Sequence, residues 1–537
     1  MPSPRQLCEI PKALAAITGH KITLYKKYIF TSTILQKKDY KILPEKTMKP
    51  YQKILCFFVL LVILCGLGAS QFWIKPAVEQ ELTRQITDYL TFQGFTKEGD
   101  ISLRVNPFTR SLTIDPMTLQ GTTTMGSITA TIDTTEMLLT WQGLFAFSPL
   151  SSLIDDASQV VLIDRSHTKS MTFTGNGGEV HCTDFRTFGV GTSKHDLLRM
   201  HAKDHRPALF FQTLSFGSLT LKDSPNAKPL VSTGAMTLRD ITKDAVASAS
   251  LERVKIKDNT GEDVHIGRVT QENIRILSES EVLALAQHLT QSKADAQAKA
   301  LLDLFIGDKP LVETTQFDDI TITVEKNPLS IGQIRFITAK NAKEVRFSLS
   351  RLQILTKLIE DKSQQGLPLP ALLSLNLSLS ATKNASQTYS FAGAMGIEEL
   401  FALDMSLDTN IRTLATLFES LITASYSDFS LRFVDKSLLA RVSLVLKPDG
   451  TGKDYLKKQI EDANHGKNAI DPMVLQEIKN YIDKPGTLRF TSKPHEKFTV
   501  AQLAALSEEE VLKKIDLTIQ PGSEDIDTQI ERIRKER

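Results

Sequence analysis

One stretch of the chain has no polar face. Between Lys53 and Lys75 no charged side chain interrupts residues 54–74, which read ILCFFVLLVILCGLGASQFWI. A helix of about 20 apolar residues crosses a hydrocarbon layer about 30 Å thick, and inside lipid only a helix satisfies the backbone hydrogen bonds of a single span. The pattern predicts one transmembrane helix at residues 54–74. A buried core helix is the alternative, although soluble helices seldom run this long without a polar face.

The charges beside this stretch predict its orientation. Residues 34–53 contain six lysines and two acidic residues, whereas residues 75–94 contain two basic and three acidic residues. Because positively charged flanks stay in the cytoplasm, residues 1–53 are predicted to form a cytoplasmic tail and the chain from residue 75 to be exported. We expect the span to be retained, because it is longer than the apolar core of a signal peptide. Residues 1–47 are expected to be either untranslated, with Met48 as the first residue, or a disordered tail.

Two helices are predicted on the exported side. Apolar residues recur every four positions directly after the span, which predicts a stalk helix at residues 75–95 that continues the membrane helix. Ser278 and Glu281 have the spacing of a capping box, in which each side chain accepts the backbone N–H of the other residue. This pair predicts the start of a helical insertion at residues 278–310.

The remaining exported chain alternates between apolar and polar residues. This period of two predicts β-rich regions at residues 96–277 and 311–450. The clearest example is Leu373–Leu379, where each leucine is followed by a serine or an asparagine. Ser427–Asp435 and Leu439–Lys447 are predicted to form a hairpin. A C-terminal α+β region is expected at residues 451–522, followed by a charged, solvated tail at residues 523–537.

These elements predict an α+β fold that is mainly β. We expect a single N-terminal transmembrane helix followed by an elongated, curved antiparallel β-sheet, a trough or sandwich with helical insertions. A sheet of about twenty strands spaced by ~4.8 Å would be ~95 Å long, and open sheets of that size curl or fold over. Strands with one apolar face would then enclose an apolar interior.

Charge and cysteine content indicate which partners and which cellular location are favoured. Residues 1–53 contain 11 Lys or Arg and 3 Asp or Glu, which leaves 53 basic and 59 acidic side chains and a net charge of −6 for residues 75–537. A mildly acidic surface disfavours nucleic acid as a partner. Cys182 is the single cysteine of the exported part, so no intrachain disulfide is expected there. Cysteine-poor export suits a bacterial envelope better than an animal cell surface.

Three segments that follow the span resemble a known family. They read ISLRVNPFTRSLTIDPMTLQG at residues 101–121, SITATIDTTEMLLT from residue 127 and SSLIDDASQVVLIDRS from residue 151. Together with the span, and mainly within residues 54–165, they resemble the opening module of AsmA-like envelope proteins, where an Asn-Pro-Phe turn joins strands before a first long ladder. The resemblance implies a single-pass protein of the bacterial inner membrane with a β-rich periplasmic part. Several members of that family are implicated in moving phospholipid along a hydrophobic groove.

The functional prediction follows from this resemblance. We expect a non-catalytic periplasmic protein that binds or helps to transfer lipid in an apolar β groove, with the bilayer and phospholipid as partners. The residues predicted to line the groove are Leu112, Ile114, Leu219, Leu221, Leu375 and Leu377. The alternative is a scaffold or assembly factor whose strand edges bind another envelope protein.

The sequence offers little evidence of catalysis, and no cofactor is expected. It contains no P-loop, no G-x-S-x-G elbow and no H-E-x-x-H motif. A cluster at His195, His201 and His205 would place two histidines on one face of a helix, as a metal pair requires. We expect a solvated loop there instead, because the segment is highly charged. A metal-dependent hydrolase is therefore the weakest of the three hypotheses.

Overall fold

The computed structural model describes most residues between 71 and 536, and these belong to one compact unit that begins at Ser70. Its internal gaps are 72–73, 93, 98–99, 124–125, 149–158, 176–177, 194, 197–207, 225–226, 258–262, 279, 283–309, 325–326, 340–342, 357–367, 413–423, 448, 450, 465–471, 493–496 and 500–513. The predicted span at residues 54–74 lies outside the described residues apart from Gln71 and Ile74. Among the helices that are described, none is both long and apolar enough to cross a membrane.

The described chain is mostly β, in one large antiparallel sheet with a few helices, as predicted. Its helices are α1 (Lys75–Phe92), α2 (Trp141–Ala146), α3 (Leu438–Leu446), α4 (Gly452–Ala463), α5 (Pro472–Asp483) and α6 (Ile526–Glu536). The first six strands are short: β1 (Phe95–Lys97), β2 (Leu103–Asn106), β3 (Ser111–Ile114), β4 (Met117–Thr123), β5 (Gly126–Ile132) and β6 (Thr135–Leu139). The central helical insertion lies outside the described residues, except that residues 280–282 are helical and the predicted capping box is formed.

Longer strands follow, and most of them pair with the next strand along the chain. They are β7 (Gln159–Gly175), β8 (Gly178–Ser193), β9 (Leu209–Phe216), β10 (Ser218–Lys222), β11 (Val231–Thr233), β12 (Met236–Ile241), β13 (Ala245–Lys257), β14 (Asp263–Arg275) and β15 (Val312–Val324). The remainder are β16 (Asn327–Thr338), β17 (Glu344–Leu355), β18 (Leu372–Lys383), β19 (Tyr389–Ile397), β20 (Phe401–Thr409), β21 (Ser425–Asp435), β22 (Thr487–Ser492), β23 (Phe498–Thr499) and β24 (Ile515–Gln520).

The strand order is that of a meander. Strands β5 and β6 both pair with one edge of β7, and β8 pairs with both β9 and β10. From β13 to β22 each strand pairs with its successor. Strand β24 follows β22. Chain-order pairing of this kind is typical of antiparallel sheets, because a short turn can join neighbouring strands.

A line of irregular positions crosses strands β13 to β17. Arg253, Asp319 and Arg351 have left-handed backbones, with φ of 51°, 53° and 56°. The register places Gly267 and Gly332 between them on the intervening strands. A Cβ on Gly332 would lie 2.4 Å from Nε of Arg351, so glycine leaves room for that arginine. We call these five positions the phase-shift line.

The phase-shift line changes the spacing of apolar residues. On β17, Phe347 and Leu349 are two apart and Leu352 comes three residues later, beyond Arg351. In a regular strand, residues three apart point to opposite faces. A break in the extended conformation between them lets the apolar residues on both sides of the line occupy the same face.

The N-terminal end of the sheet is covered by helices α1 and α2. Val78 and Leu82 of α1 are buried in a cluster with Leu112, Leu144 and other residues. The backbone N–H of Val105 donates to Oε1 of Glu79 at 2.8 Å. The helix predicted at residues 75–95 is therefore present as Lys75–Phe92 and packs on the sheet, and most of the segment that would join it to the span lies outside the described residues.

The C-terminal end is covered by α3 to α6 and corrects two predictions. The segment Leu439–Lys447, predicted as the second strand of a hairpin, lies in helix α3, because Ala440 and Leu444 at helical spacing are buried. The tail predicted to be solvated forms helix α6. Its isoleucines Ile526, Ile530 and Ile533 share one face and are at most 3 % exposed, a pattern hidden by the many charges on the other face.

Candidate apolar binding face

One row of paired residues runs across the sheet and is apolar on every strand that it crosses. In the register, each member lies directly opposite the next, from β9 to β24. The members are Phe216, Met236, Leu251, Val269, Phe317, Ile334, Leu349, Leu377, Met395, Leu403, Phe433, Leu488 and Ile519. We call this the central apolar row. With ~4.8 Å between strands it is about 58 Å long.

The residues one position away along each strand are almost all polar. They form a second row on the opposite face: Ser215, Thr237, Ser250, Thr270, Gln316, Arg335, Ser348, Ser378, Ala394, Asp404, Arg432, Arg489 and Thr518. Successive side chains of a strand point to opposite faces. The sheet therefore has one apolar and one polar face over the whole distance.

Two further rows widen the apolar face. Beyond the phase-shift line, the row from β13 to β20 consists of Val254, Ile266, Ile320, Ile331, Leu352, Leu375, Ile397 and Phe401. On the other side of the central apolar row, the row from β16 to β24 consists of Phe336, Phe347, Leu379, Gly393, Met405, Leu431, Phe490 and Leu517. No charged residue interrupts either row.

The central apolar row is more exposed than a core, although Val254, Ile320 and Ile331 of the row beyond the phase-shift line are buried. Every member of the central apolar row is half-buried, and none reaches full burial. Leu379 in the neighbouring row is 47 % exposed. In the covered N-terminal end, by contrast, Leu112 is 2 % and Leu144 1 % exposed. A broad apolar surface that stays partly accessible is typical of an interaction site.

The six predicted lining residues lie in three different places, two residues in each. Leu377 belongs to the central apolar row and Leu375 to the row beyond the phase-shift line. Leu219 and Leu221 lie half-buried on β10.

Leu112 and Ile114 on β3 are buried, and Leu112 lies in the closed cluster beneath α1. The structure thus brings Leu375 and Leu377 together and leaves Leu112 and Ile114 at the covered end. The sequence interpretation missed most of the central apolar row, including Ile334 and Leu349. The repeated alternation could have indicated them, but only the register shows that they lie opposite one another.

A buried carboxyl lies where β21 meets α3. Asp435 is 7 % exposed, and its Oδ2 accepts the N–H of Leu439 at 3.0 Å. Burial raises the pKa of Asp435 to about 6, although hydrogen bonds from the N–H groups of Leu439 and Leu438 act in the opposite direction. Burial and the nearby charge of Asp435 raise the pKa of Tyr481. Each of these residues has a buried oxygen without a hydrogen-bond partner among the described residues.

The predicted metal cluster is not formed within the described residues. Within them, no group of three His, Cys, Asp or Glu side chains is placed to hold a metal ion. His195 lies beside Asp196, with 3.8 Å between Nδ1 and Oδ1, whereas His201 and His205 lie outside the described residues. A shallow groove over the phase-shift line is lined by three arginines and three acidic residues, so its charges balance.

The comparisons with known proteins add one finding. A family model described only as "Uncharacterized protein" matches residues 371–521, which extend from β18 to β24 and cover less than half of the chain. No curated protein and no solved structure matches the chain. The matched segment contains the C-terminal half of the central apolar row together with most of the helices that cover that end.

Proposed function

We propose that this chain is a membrane-anchored, non-catalytic envelope protein that holds or passes lipid acyl chains along its apolar face. The observation that carries the proposal is the central apolar row, which is uninterrupted across the strands and half-buried throughout. An acyl chain offers no hydrogen-bonding group, so it needs a continuous apolar surface and no specific polar contact. Covering such a surface is worth about 25 cal/mol per Å².

The anchoring and location are part of the same proposal. Residues 54–74 would span the inner membrane of a bacterium, with residues 1–53 in the cytoplasm and the sheet in the periplasm. The sheet would curve into a trough with its apolar face inward, as open sheets of this size tend to do. The phase-shift line supports this form, because it lets apolar rows on its two sides occupy one face.

A photo-crosslinking experiment on the full chain in bacterial membranes tests the proposal. A benzophenone amino acid would replace Leu349, on the apolar face, or its neighbour Ser348, on the polar face of the same strand. With radiolabelled phospholipid, we expect label to be transferred at position 349 and not at position 348. Equal transfer at both positions, or none at either, would contradict lipid binding by this face.

The scaffold hypothesis is the second candidate. Strand β24 pairs with β22, and the described residues place no strand on its other edge. An edge of this kind can accept a strand from another protein. The same crosslinking experiment distinguishes the two functions when the photoreactive residue also replaces Thr518 on β24, because a scaffold would yield a protein adduct at position 518 and no labelled lipid at position 349.

A further inference from the structure

Two exposed aromatic side chains lie at one corner of the N-terminal module, which comprises α1, α2 and β1 to β6. Trp141, the first residue of α2, is 53 % exposed, and Phe108, in the turn between β2 and β3, is 44 % exposed. The guanidinium of Arg110 lies 5.4 Å from the centroid of the Trp141 ring and belongs to the same turn as Phe108. We call Phe108, Arg110 and Trp141 the aromatic corner.

The backbone holds these side chains outward. Oδ1 of Asn106 accepts the N–H groups of Phe108 at 3.1 Å and Thr109 at 3.3 Å. Oγ1 of Thr140 accepts the N–H of Gly143 at 2.8 Å and caps α2 directly before Trp141. These hydrogen bonds fix the backbone of the aromatic corner. Its aromatic side chains therefore stay exposed to water, although that exposure is unfavourable.

The aromatic corner lies close to the start of α1. The N–H of Val105, three residues before Phe108, donates to Glu79, the fifth residue of α1. Glu79 follows Lys75 by four residues, a rise of about 6 Å, and Lys75 directly follows the predicted span. If residues 54–74 cross a bilayer, the path from the bilayer surface to the aromatic corner is short. It runs from Lys75 to Glu79 along α1 and then from Val105 to Phe108.

Local charge also suits an anionic bilayer. Residues 106–111 and 140–148 contain Arg110 and no acidic residue, although residues 75–537 carry a net charge of −6. Tryptophan favours the headgroup layer of a membrane, and arginine can keep its charge there while its stem lies in apolar surroundings.

We propose that the aromatic corner enters the interfacial layer of the bilayer that anchors the chain, so that the N-terminal module rests on the membrane. This inference depends on the anchor in the proposed function and not on lipid carriage. It gives the sheet a defined start at the bilayer surface, where an acyl chain could be received.

The chain's two tryptophans provide the test. Full-length protein would be reconstituted in phosphatidylethanolamine and phosphatidylglycerol liposomes with brominated acyl chains, which quench nearby tryptophan fluorescence. Trp73→Phe leaves Trp141 as the reporter, and Trp141→Phe leaves Trp73, at the end of the predicted span. We expect both reporters to be quenched to a similar extent.

The outcomes separate this inference from the anchor. Quenching of Trp73 without quenching of Trp141 would overturn the docking and leave the anchor intact, whereas loss of both would overturn the anchor and the docking together. Phe108→Ser should weaken the quenching of Trp141 and leave that of Trp73 unchanged. Phe188→Ser on β8, which removes a phenylalanine that is 41 % exposed, is the matched control and should change neither.

Discussion

The covered ends of the sheet and its middle use the same side chains in different ways. At the N-terminal end, leucines and valines of α1, α2 and the first strands are sealed in one cluster. At the C-terminal end, isoleucines of α6 are sealed against α3. In the middle, leucines and isoleucines of the central apolar row remain half-buried. We therefore expect truncation of a side chain to cost more stability in the two end clusters than in the central apolar row, which keeps an accessible apolar surface although Tyr389 and its neighbours form a smaller closed cluster beside it.

The largest expected effect comes from truncating a leucine in each region. Leu144→Ala, at the covered N-terminal end, should lower the free energy of unfolding by about 2–5 kcal/mol, because it leaves a cavity in a closed cluster. Leu349→Ala, in the central apolar row, should lower it by only about 1 kcal/mol, because that side chain is already partly hydrated. Urea unfolding of the full chain in detergent would measure both. Equal losses would show that the middle is as closed as the ends.

A pair of glycine substitutions tests the same difference between the covered end and the middle of the sheet. A Cβ on Gly143 in α2 would lie 1.9 Å from the carbonyl oxygen of Leu162, a backbone atom that cannot move alone. Gly143→Ala should therefore destabilise the protein by about 3 kcal/mol, as overpacking does. At Gly332 the obstacle is the mobile end of the Arg351 side chain, so Gly332→Ala should cost about 1 kcal/mol or less. Thermal unfolding would rank them, and the reverse order would contradict this account of the two regions.

The pH dependence of stability reports on the C-terminal end. Burial raises the pKa of Asp435 from 3.8 to about 6 in the folded protein. At Asp435 the folded state therefore binds more protons than the unfolded state in this window, and the contribution of this residue to stability falls as the pH rises from about 4 to 6. Two units of pKa correspond to about 3 kcal/mol.

The variant Asp435→Asn isolates this effect. It should be more stable than the parent protein by about 3 kcal/mol at pH 7, a difference that should vanish near pH 4, because each unit of pKa is worth ~1.4 kcal/mol. Urea midpoints across that range would measure it. A difference that did not depend on pH would show that Asp435 is not the titrating group.

The sequence predicted the class of the fold better than its details. Alternation correctly indicated strands such as β18, and the pair Ser278 and Glu281 correctly indicated a capping box. It missed α3, because Leu439–Lys447 was predicted to be the second strand of a hairpin, although Asp435 and Ser437 directly precede a helix. In that position, a carboxylate accepts free backbone N–H groups of the first helical turn.

The apolar face could be predicted only in part. Each strand shows its own apolar residues, but the row depends on the register of every strand pair between residues 216 and 519. The phase-shift line also hides the pattern, since Leu349 and Leu352 are three apart and break the alternation. Leu112 is buried and Leu377 is half-buried. Both are leucines, so the residue type alone does not indicate which of the two is accessible.

The smallest expected effect comes from removing ion pairs. Lys457 Nζ lies 2.5 Å from Oδ1 of Asp483 at the C-terminal end, and Arg268 Nη2 lies 3.0 Å from Oε1 of Glu252 in the middle. Both pairs are accessible to water, so Lys457→Ala and Arg268→Ala should each change the free energy of unfolding by less than about 1 kcal/mol. Double-mutant cycles in urea would measure the two coupling energies. If the pair at the covered end contributed as much as Leu144, charge as well as apolar burial would hold that end closed, and the contrast with the middle would need another cause.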